Sequence, residues 1–379
     1  IFNKKINFKK YKIFYLLIAY FAAQFIGLVY TGNTIENISF IFSSFTVILT
    51  IILIDNFFSY NEKKYFLLIS FLILNVVFFL TFTPSLINYL NGGSIYGGFY
   101  SSDFFFEKDT PRSSGLARMA LIIFIFIELF EIQYSKYLKN HSKKILLIKI
   151  IFLTFVTLFQ SRTIIFITVI ICFFIYLNRN KFEFNKVTKF ISIYFFIPTF
   201  LFFSLSTFNS YQSTKLSFSE EDIKLLDHLK SDELRIFRGY QQGDISSGRF
   251  SDWKEILENV SGKNIIYGYG AQGDRYLINQ TASNGLIYTF VSSGLIGLIF
   301  FIIFNIAVCL KIIKIFFYYF KENSEDIIYC LILLSLSLRG ILETSYAVFS
   351  IDLIIFILAL SFIFDSNIRI KDIKIKYSK

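Results

Sequence analysis

Arginine side chains that could bind an anion recur beside or inside long apolar segments of the chain. Arg112 precedes one such segment, Arg118 lies in its first turns, Arg162 precedes a second segment, and Arg339 lies within a third. Arg249 lies in a long polar stretch that precedes a fourth. Because the guanidinium fork matches the oxygen geometry of phosphate and carboxylate groups, these residues predict a site for an anionic group.

Other residue types that commonly carry chemistry are few and scattered. His141 lies among lysines and His228 lies in the polar stretch, so we interpret both as surface residues. Cys172, Cys309 and Cys330 lie in apolar runs, without a CxxC pair or a cysteine–histidine cluster. These patterns do not indicate a zinc site or a disulfide framework, and no Walker loop is found. We therefore expect no metal ion, no nucleotide and no other cofactor.

The composition indicates an integral membrane protein. Hydrophobic residues make up 55% of the 379 residues and charged residues only 17%, whereas soluble proteins carry about 25% charged residues. Apolar runs of about 18 residues or more, each long enough to cross a bilayer, recur along the chain. The first run is too long for the core of a cleavable signal peptide, so we expect none.

Ten apolar segments are predicted, at about 13–30, 38–58, 65–82, 116–134, 145–160, 164–177, 188–206, 285–308, 327–345 and 346–364. The expected fold is therefore all-α, a polytopic membrane protein with about ten or more transmembrane helices. Residues 1–379 form one transmembrane domain, and the polar stretch 207–283 forms a large, partly helical extracytoplasmic loop within it.

The basic residues of the loops predict the orientation. Residues 1–12 carry five lysines and no acid, and the loop 135–144 carries four lysines, whereas the loop 31–37 has no lysine or arginine. Because basic residues are enriched in cytoplasmic loops, both termini are expected in the cytoplasm. The net charge of +11 then reflects topology and attraction to the membrane surface, and no nucleic-acid partner is expected.

In this topology the arginines lie on the outer side, where basic residues are depleted. An arginine inside the bilayer costs roughly 2.5–3.5 kcal/mol, so a partner or substrate is expected for it. Several arginines at one depth would suit a pyrophosphate head group. An alternative is that Arg339 and Glu343 form a structural ion pair four residues apart, and that Arg118 and Arg162 extend from helix ends to the interface.

The polar loop has helical features of its own. Trp253, Ile256, Leu257 and Val260 recur at i, i+3, i+4 and i+7, and Ser251 is placed to cap that helix. Tryptophan is favoured at membrane interfaces. We therefore expect a helix lying on the outer face of the membrane.

Short motifs in this region occur in a recognisable order. They are Arg112-Ser113-Ser114-Gly115-Leu116, Ser161-Arg162-Thr163, Gly248-Arg249 with Trp253, Gly268-Tyr269-Gly270, Asn284-Gly285 and Gly294-Leu295-Ile296-Gly297. Taken alone, Gly268-Tyr269-Gly270 indicates a turn. Together the motifs span about residues 110–300, and in this order the chain resembles the superfamily of O-antigen polymerases and O-antigen ligases, which are bacterial membrane glycosyltransferases.

One departure separates two kinds of member. Ligases of this superfamily typically have a histidine before the asparagine at the end of the loop, whereas this chain has Ser283 before Asn284. The resemblance therefore favours a polymerase of O-antigen or capsule repeat units, acting without metal, and leaves a ligase that transfers glycan to lipid A core as the alternative.

The resemblance implies a glycosyl transfer from undecaprenyl pyrophosphate to a hydroxyl of the next lipid-linked repeat unit. The residues expected to act in catalysis are Arg162, Arg249, Asp252 and Glu343. Those expected to bind substrate are Arg112, Arg118, Arg238, Arg339, Trp253 and Asn284. Arginines would stabilise the pyrophosphate leaving group, and Asp252, Asp244 and Glu343 are candidates for the general base.

The expected partners are the lipid-linked glycan, the lipid bilayer, and also a chain-length regulator and a flippase. The expected location is the bacterial cytoplasmic membrane, with the site on its outer side. A lipid-linked oligosaccharide flippase is a rival from another class, but such a transporter should show two related halves, and no repeat is evident. A non-catalytic scaffold would not explain arginines placed against the topology rule.

Overall fold

The structure is a computed structural model, which describes residues 11–31, 35–90, 113–159, 161–179, 188, 190–205, 249–278, 281–319 and 325–377. Within these residues the chain is helical and has no strand. This confirms the all-α class that the composition and the apolar segments predict.

The helices are α1 (Lys12–Thr31), α2 (Ile35–Phe57), α3 (Tyr60–Leu90), α4 (Ser113–Gln133), α5 (Ser142–Leu158), α6 (Arg162–Arg179), α7 (Ser192–Leu205), α8 (Arg249–Asn259), α9 (Asn264–Tyr267), α10 (Gly273–Ile278), α11 (Gly285–Tyr319), α12 (Glu325–Leu342) and α13 (Ile351–Tyr377). Short turns at Ser135–Leu138 and Lys139–His141 connect α4 to α5, and a turn at Ser345–Ala347 connects α12 to α13. A described helix therefore lies within each of the ten predicted apolar segments.

Four of the described helices, α1, α2, α3 and α11, are long and apolar enough to cross a membrane. The apolar parts of α6, α7 and α13 are shorter than a full span, and α4 carries charged side chains within its apolar sequence. The structure thus shows a helical membrane protein, while the prediction of ten or more spans stays a prediction. Of the predicted loop 207–283, residues 207–248 lie outside the described part of the chain.

Helices α4, α12 and α13 form the centre of the fold. Nearly every residue of 116–126 in α4, 326–333 in α12 and 353–364 in α13 is buried. A helix that is apolar on all sides is expected in an interior position. Around this centre, α5 packs on α4, α6 packs on α12 and α4, and α1 lies along α11. The central helices are therefore held from all sides, which fixes the polar side chains at their ends.

Helix α11 is interrupted at Gly294, whose φ of 61° lies in the left-handed region. The interruption leaves the carbonyl groups before it without their usual helical donors. The Tyr269 amide donates a 2.7 Å hydrogen bond to the Val291 carbonyl, and the Gly270 amide donates a 2.9 Å hydrogen bond to the Ser292 carbonyl. The predicted turn at 268–270 is therefore also a backbone partner for a broken helix.

Glycine is required at this junction because two backbones meet there. A Cβ atom on Gly294 would lie 2.1 Å from the Ile266 carbonyl oxygen, and one on Gly268 would lie 2.5 Å from the backbone of Ser292. Helix α1 also approaches closely, since a Cβ on Gly27 would lie 2.5 Å from the Gly270 amide nitrogen. The junction thus joins α1, α11 and the segment that leads back to α8.

We predict that Gly294→Ala destabilises the protein by about 3 kcal/mol or more, because it combines a positive φ with a backbone clash. Thermal unfolding of the purified protein and its abundance in membranes measure this effect. Gly115→Ala is the matched control, because a Cβ on Gly115 meets nothing within 4 Å. Equal stability of the two variants would contradict the proposed tight junction.

Candidate functional site

Five charged side chains form a continuous network at one end of the bundle. Asp352 Oδ1 lies 3.1 Å from an Arg118 guanidinium nitrogen, and Asp352 Oδ2 accepts a hydrogen bond from Arg339. Glu343 Oε2 lies 3.7 Å from Arg339, and Glu343 Oε1 lies 3.4 Å from Arg249. The structure therefore brings together Arg118, Arg249, Arg339 and Glu343, four of the residues that the sequence selects.

Each member of the network comes from the end of a helix. Arg118 lies in the second turn of α4, Arg339 in the last turn of α12, and Asp352 in the first turn of α13. Arg249 is the first residue of α8, and Glu343 follows the end of α12. The buried centre of the fold thus brings together the ends of α4, α12 and α13, and α8 adds its first residue from the loop.

Ser345 fixes the position of Asp352 within this network. Its φ of 46° marks a tight chain reversal between α12 and α13. Its hydroxyl donates to Asp352 Oδ2 at 3.0 Å, because this acceptor is charged and is nearer than the Leu336 carbonyl oxygen at 3.2 Å. The reversal therefore supplies a third polar contact to the carboxylate that already forms ion pairs with two arginines.

The network runs from a buried end to a more open one. Side-chain exposure is 0% at Asp352 and 8% at Arg339, and it reaches 27% at Arg249. Arg118, at 16%, and Glu343, at 13%, lie between these limits. A ligand from outside the bundle would therefore reach Arg249 before Arg339.

The network has both a surplus of positive charge and unused hydrogen-bond donors. Three guanidinium groups face two carboxylates, so one positive charge is not balanced within it. The Nε atoms of Arg118 and Arg339 are buried and have no hydrogen-bond acceptor among the described residues. A buried donor without an acceptor costs about 1–3 kcal/mol. The arrangement is therefore suited to binding an anion with several oxygen atoms.

Trp253 and Asn284 lie close to the network but use their polar groups within the fold. Trp253 Nε1 donates a 2.6 Å hydrogen bond to the Ala282 carbonyl. Asn284 Oδ1 accepts from the amides of Leu286 and Ile287 and so caps α11. Asn284 Nδ2 donates to a carbonyl of α12, that of residue 341, two positions before Glu343. Both residues position the segment that borders the site, and their predicted contact with substrate stays a prediction.

The remaining predicted site residues lie outside the network. Asp252 is half-buried on α8, and no ion pair of its side chain is found among the described residues. Arg162 is exposed at the first residue of α6. Because α6 follows α5 after a tight turn, and α5 returns along α4, Arg162 lies at the same end of the bundle as Arg118. Arg112, Arg238 and Asp244 lie outside the described residues.

Asp274 is a functional candidate that the sequence does not single out. Its side chain is buried, Oδ2 accepts a 2.7 Å hydrogen bond from the Ala282 amide, and Oδ1 accepts a 3.0 Å bond from the Arg275 amide. It therefore holds the same corner that Trp253 holds through the Ala282 carbonyl. Burial raises the pKa of Asp274, against the lowering effect of these two hydrogen bonds.

Asp352 also receives no role from the sequence, which indicates only an acid near an apolar segment. One sequence signal could have indicated it. Asp352 lies near the start of the last predicted segment, which the predicted topology places on the same side of the membrane as the arginines. Three other acids in or near apolar segments, Asp55, Glu128 and Glu131, form ion pairs. Lys149 lies 2.8 Å from Glu128 and also contacts Glu131, and Lys63 pairs with Asp55. These pairs lie at the other end of the bundle from Asp352.

The described residues define a helical membrane protein with a network of arginines and carboxylates at one end of its bundle. Residues 147–302, which are less than half of the chain, match the family model described as O-antigen ligase. The match confirms the resemblance to the O-antigen polymerase and ligase superfamily, whose members are membrane glycosyltransferase-like enzymes of the bacterial inner membrane. Searches of curated proteins and of solved structures give no match.

The matched segment contains Arg162, Arg249 and Asn284, but it ends before Arg339 and Asp352. Arg118 precedes the matched segment and Glu343 follows it, so Arg249 is the one network residue that the match includes. The match is compatible with a polymerase and with a ligase, and it gives no support to a flippase.

We predict that Asp274→Asn changes how stability depends on pH. Because the folded chain raises the pKa of Asp274, folding favours its protonated form, and this contribution is lost as pH rises from about 4 through the folded pKa. The Tm of wild type minus the Tm of Asp274→Asn should therefore fall as pH rises. Thermal unfolding of both proteins between about pH 4 and 8 measures this difference. Glu258→Gln, at an exposed position on α8, is the control. A difference that grows with pH would contradict the prediction.

Proposed function

We propose that the chain is a polymerase of lipid-linked oligosaccharide repeat units of an O-antigen or a capsule. It transfers the growing glycan from undecaprenyl pyrophosphate to a hydroxyl of the next lipid-linked unit. The observation that carries this proposal is the network in which Arg118, Arg249 and Arg339 outnumber their carboxylates. The family match over residues 147–302 supports the same class of reaction.

In this reaction an acceptor hydroxyl oxygen bonds to the anomeric carbon of the donor, and the bond from that carbon to the pyrophosphate oxygen breaks. Negative charge develops on the leaving pyrophosphate, where donors placed in advance lower the barrier most. Arg249, the most exposed of the three arginines, would meet the pyrophosphate first. The unused Nε–H groups of Arg118 and Arg339 would then donate hydrogen bonds to its oxygens. Arg162, at the same end of the bundle, would add charge from the facing helix.

The proton of the acceptor hydroxyl requires a base. Glu343 is placed within the network and is partly exposed, so it is well situated to accept the proton at one carboxylate oxygen. Asp252 on α8 is an alternative base three residues after Arg249, and Asp244 lies outside the described residues. This chemistry uses guanidinium groups for charge stabilisation, and we propose that it needs no metal ion or cofactor.

The residues at the end of the loop, just before α11, favour a polymerase over a ligase. Ser283 occupies the place where ligases of the superfamily typically carry a histidine, and its φ of 47° places it in a tight turn. Its hydroxyl cannot act as a base in the way that an imidazole can. Transfer to a lipid A core therefore remains the second candidate.

The proposed orientation places the network on the outer face of the cytoplasmic membrane and both termini inside. It is supported by the exposed lysines in and beside the connection between α4 and α5 at the opposite end of the bundle, such as Lys136, Lys139 and Lys143, because basic residues are enriched in cytoplasmic loops. The further proposed partners are a flippase that delivers repeat units and a regulator of chain length.

We predict that Arg249→Ala and Arg162→Ala each lower the rate of glycan transfer by about 10²- to 10³-fold, as the loss of one charge-stabilising donor does. The assay uses purified protein and lipid-linked repeat units. Lys254→Ala is the control for Arg249, because Lys254 is an exposed cation on the same helix. Full activity in both arginine variants, with wild-type abundance, would refute their assignment.

The product of the same assay separates the candidate functions. We expect a ladder of glycans with more than one repeat unit on the polyprenyl carrier. Transfer to an added lipid A core would instead identify a ligase. Movement of lipid-linked units across vesicles without any glycan product would refute both enzymatic functions.

A further inference from the structure

The two carboxylates of the arginine network are held very differently. Asp352 is fully buried and contacts Arg118, Arg339 and the Ser345 hydroxyl. Glu343 is partly exposed, and among the described residues its carboxylate has two long ionic contacts, at 3.4 Å and 3.7 Å. Charge-assisted hydrogen bonds between such groups are typically about 2.7–2.9 Å long. Glu343 is therefore the more weakly held of the two acids.

The position of Glu343 is that of an anion bound between two arginines. One oxygen faces Arg249 from the loop helix, and the other faces Arg339 from the membrane helix. Its backbone amide is fixed by a 2.8 Å hydrogen bond to the Arg339 carbonyl, so the side chain can move while the main chain stays in place. A carboxylate and a phosphate present similar oxygen pairs to a guanidinium group.

We propose that the two acids have separate duties towards the substrate. Asp352 is a positioning residue that holds Arg118 and Arg339 in place whether or not substrate is bound. Glu343 is a displaceable counterion, whose place between Arg249 and Arg339 is taken by oxygens of the donor pyrophosphate. This inference rests on the proposed function, in which the network binds that group.

The exchange of Glu343 for pyrophosphate oxygens explains why a loosely paired carboxylate lies between two arginines. A loosely paired carboxylate reduces the cost of keeping an empty set of arginines, because an unpaired buried charge is strongly unfavourable. Binding then replaces weak contacts with short ones at Arg249 and Arg339. It also frees the Glu343 carboxylate, beside the bound donor, to accept a proton.

Two substitutions with the same change in charge test this inference. Glu343→Gln and Asp352→Asn each remove one negative charge from the network. If net charge alone governed binding, both variants would bind an anion more tightly. If the duties are separate, Glu343→Gln removes a competitor, whereas Asp352→Asn releases the two arginines from their positions.

The experiment measures binding of inorganic pyrophosphate to the full-length protein in lipid nanodiscs by calorimetry. We expect Glu343→Gln to bind about tenfold more tightly than wild type and Asp352→Asn about tenfold more weakly. Glu258→Gln, which removes an exposed acid from α8, should bind as wild type does. Thermal unfolding of each variant reports whether it is folded.

Ser345→Ala carries the second arm if Asp352→Asn does not fold. It removes a contact from Asp352 while keeping every charge of the network, and it should weaken pyrophosphate binding by about threefold. Unchanged binding in that variant would refute the positioning role of Asp352. Equal or weaker pyrophosphate binding by Glu343→Gln would refute the displacement of Glu343. Equal or tighter binding by Asp352→Asn would refute the separate duties of the two acids.

These results are distinguishable from failure of the proposed function. If wild type does not bind pyrophosphate, both the proposed function and this inference are refuted. If wild type binds pyrophosphate and Arg249→Ala binds it more weakly, but the two acid variants shift in the same direction, only the separation of duties is refuted.

Discussion

The contact of one buried carboxylate with two arginines is the interaction on which the site depends. Arg118 and Arg339 are brought together by helices α4 and α12, and without an anion between them they would repel in a region of low dielectric. Asp352 supplies that anion from α13 and is itself held by Ser345. This joins the three central helices and retains arginine side chains at a depth where they would otherwise be too costly.

The second constraint is the satisfaction of backbone groups where α11 breaks. The break at Gly294 exposes carbonyl groups that residues 269 and 270 satisfy, so the loop segment is anchored into the bundle. The chain from this anchor leads to the corner before α11, where Asn284 bonds a carbonyl of α12. A Cβ on Gly285 would lie 2.7 Å from the Gly340 carbonyl oxygen. Close backbone approach thus sets the distance between the loop and the arginine of α12.

The sequence predicts well those features that depend on residue type and local spacing. Arg339 and Glu343 lie four residues apart, so their contact follows from helical geometry. The helix in the polar loop follows from its apolar spacing, but the prediction that Ser251 caps it is wrong, because the helix begins at Arg249 and includes Ser251. Asp352 could not be assigned, because its partners lie across a chain reversal and on α4, and no local pattern encodes such contacts. The pairing of residues 269 and 270 with the broken helix is long-range for the same reason. Length and hydropathy alone do not identify α4 as a span, because it carries charged residues that pair inside the bundle. Arg118 pairs with Asp352, and Glu128 pairs with Lys149.

The two ends of the bundle use opposite arrangements of charge. At one end each lysine contacts one acid or two, and Lys149 contacts both Glu128 and Glu131. At the other end arginines exceed acids, and guanidinium donors remain unused. Charge pairs that only join helices have no reason to leave such a surplus, because each unmatched group reduces stability. The surplus at the arginine end is therefore best explained by an anionic substrate that completes the network when it binds, which is the physical basis for placing the proposed glycosyl transfer there.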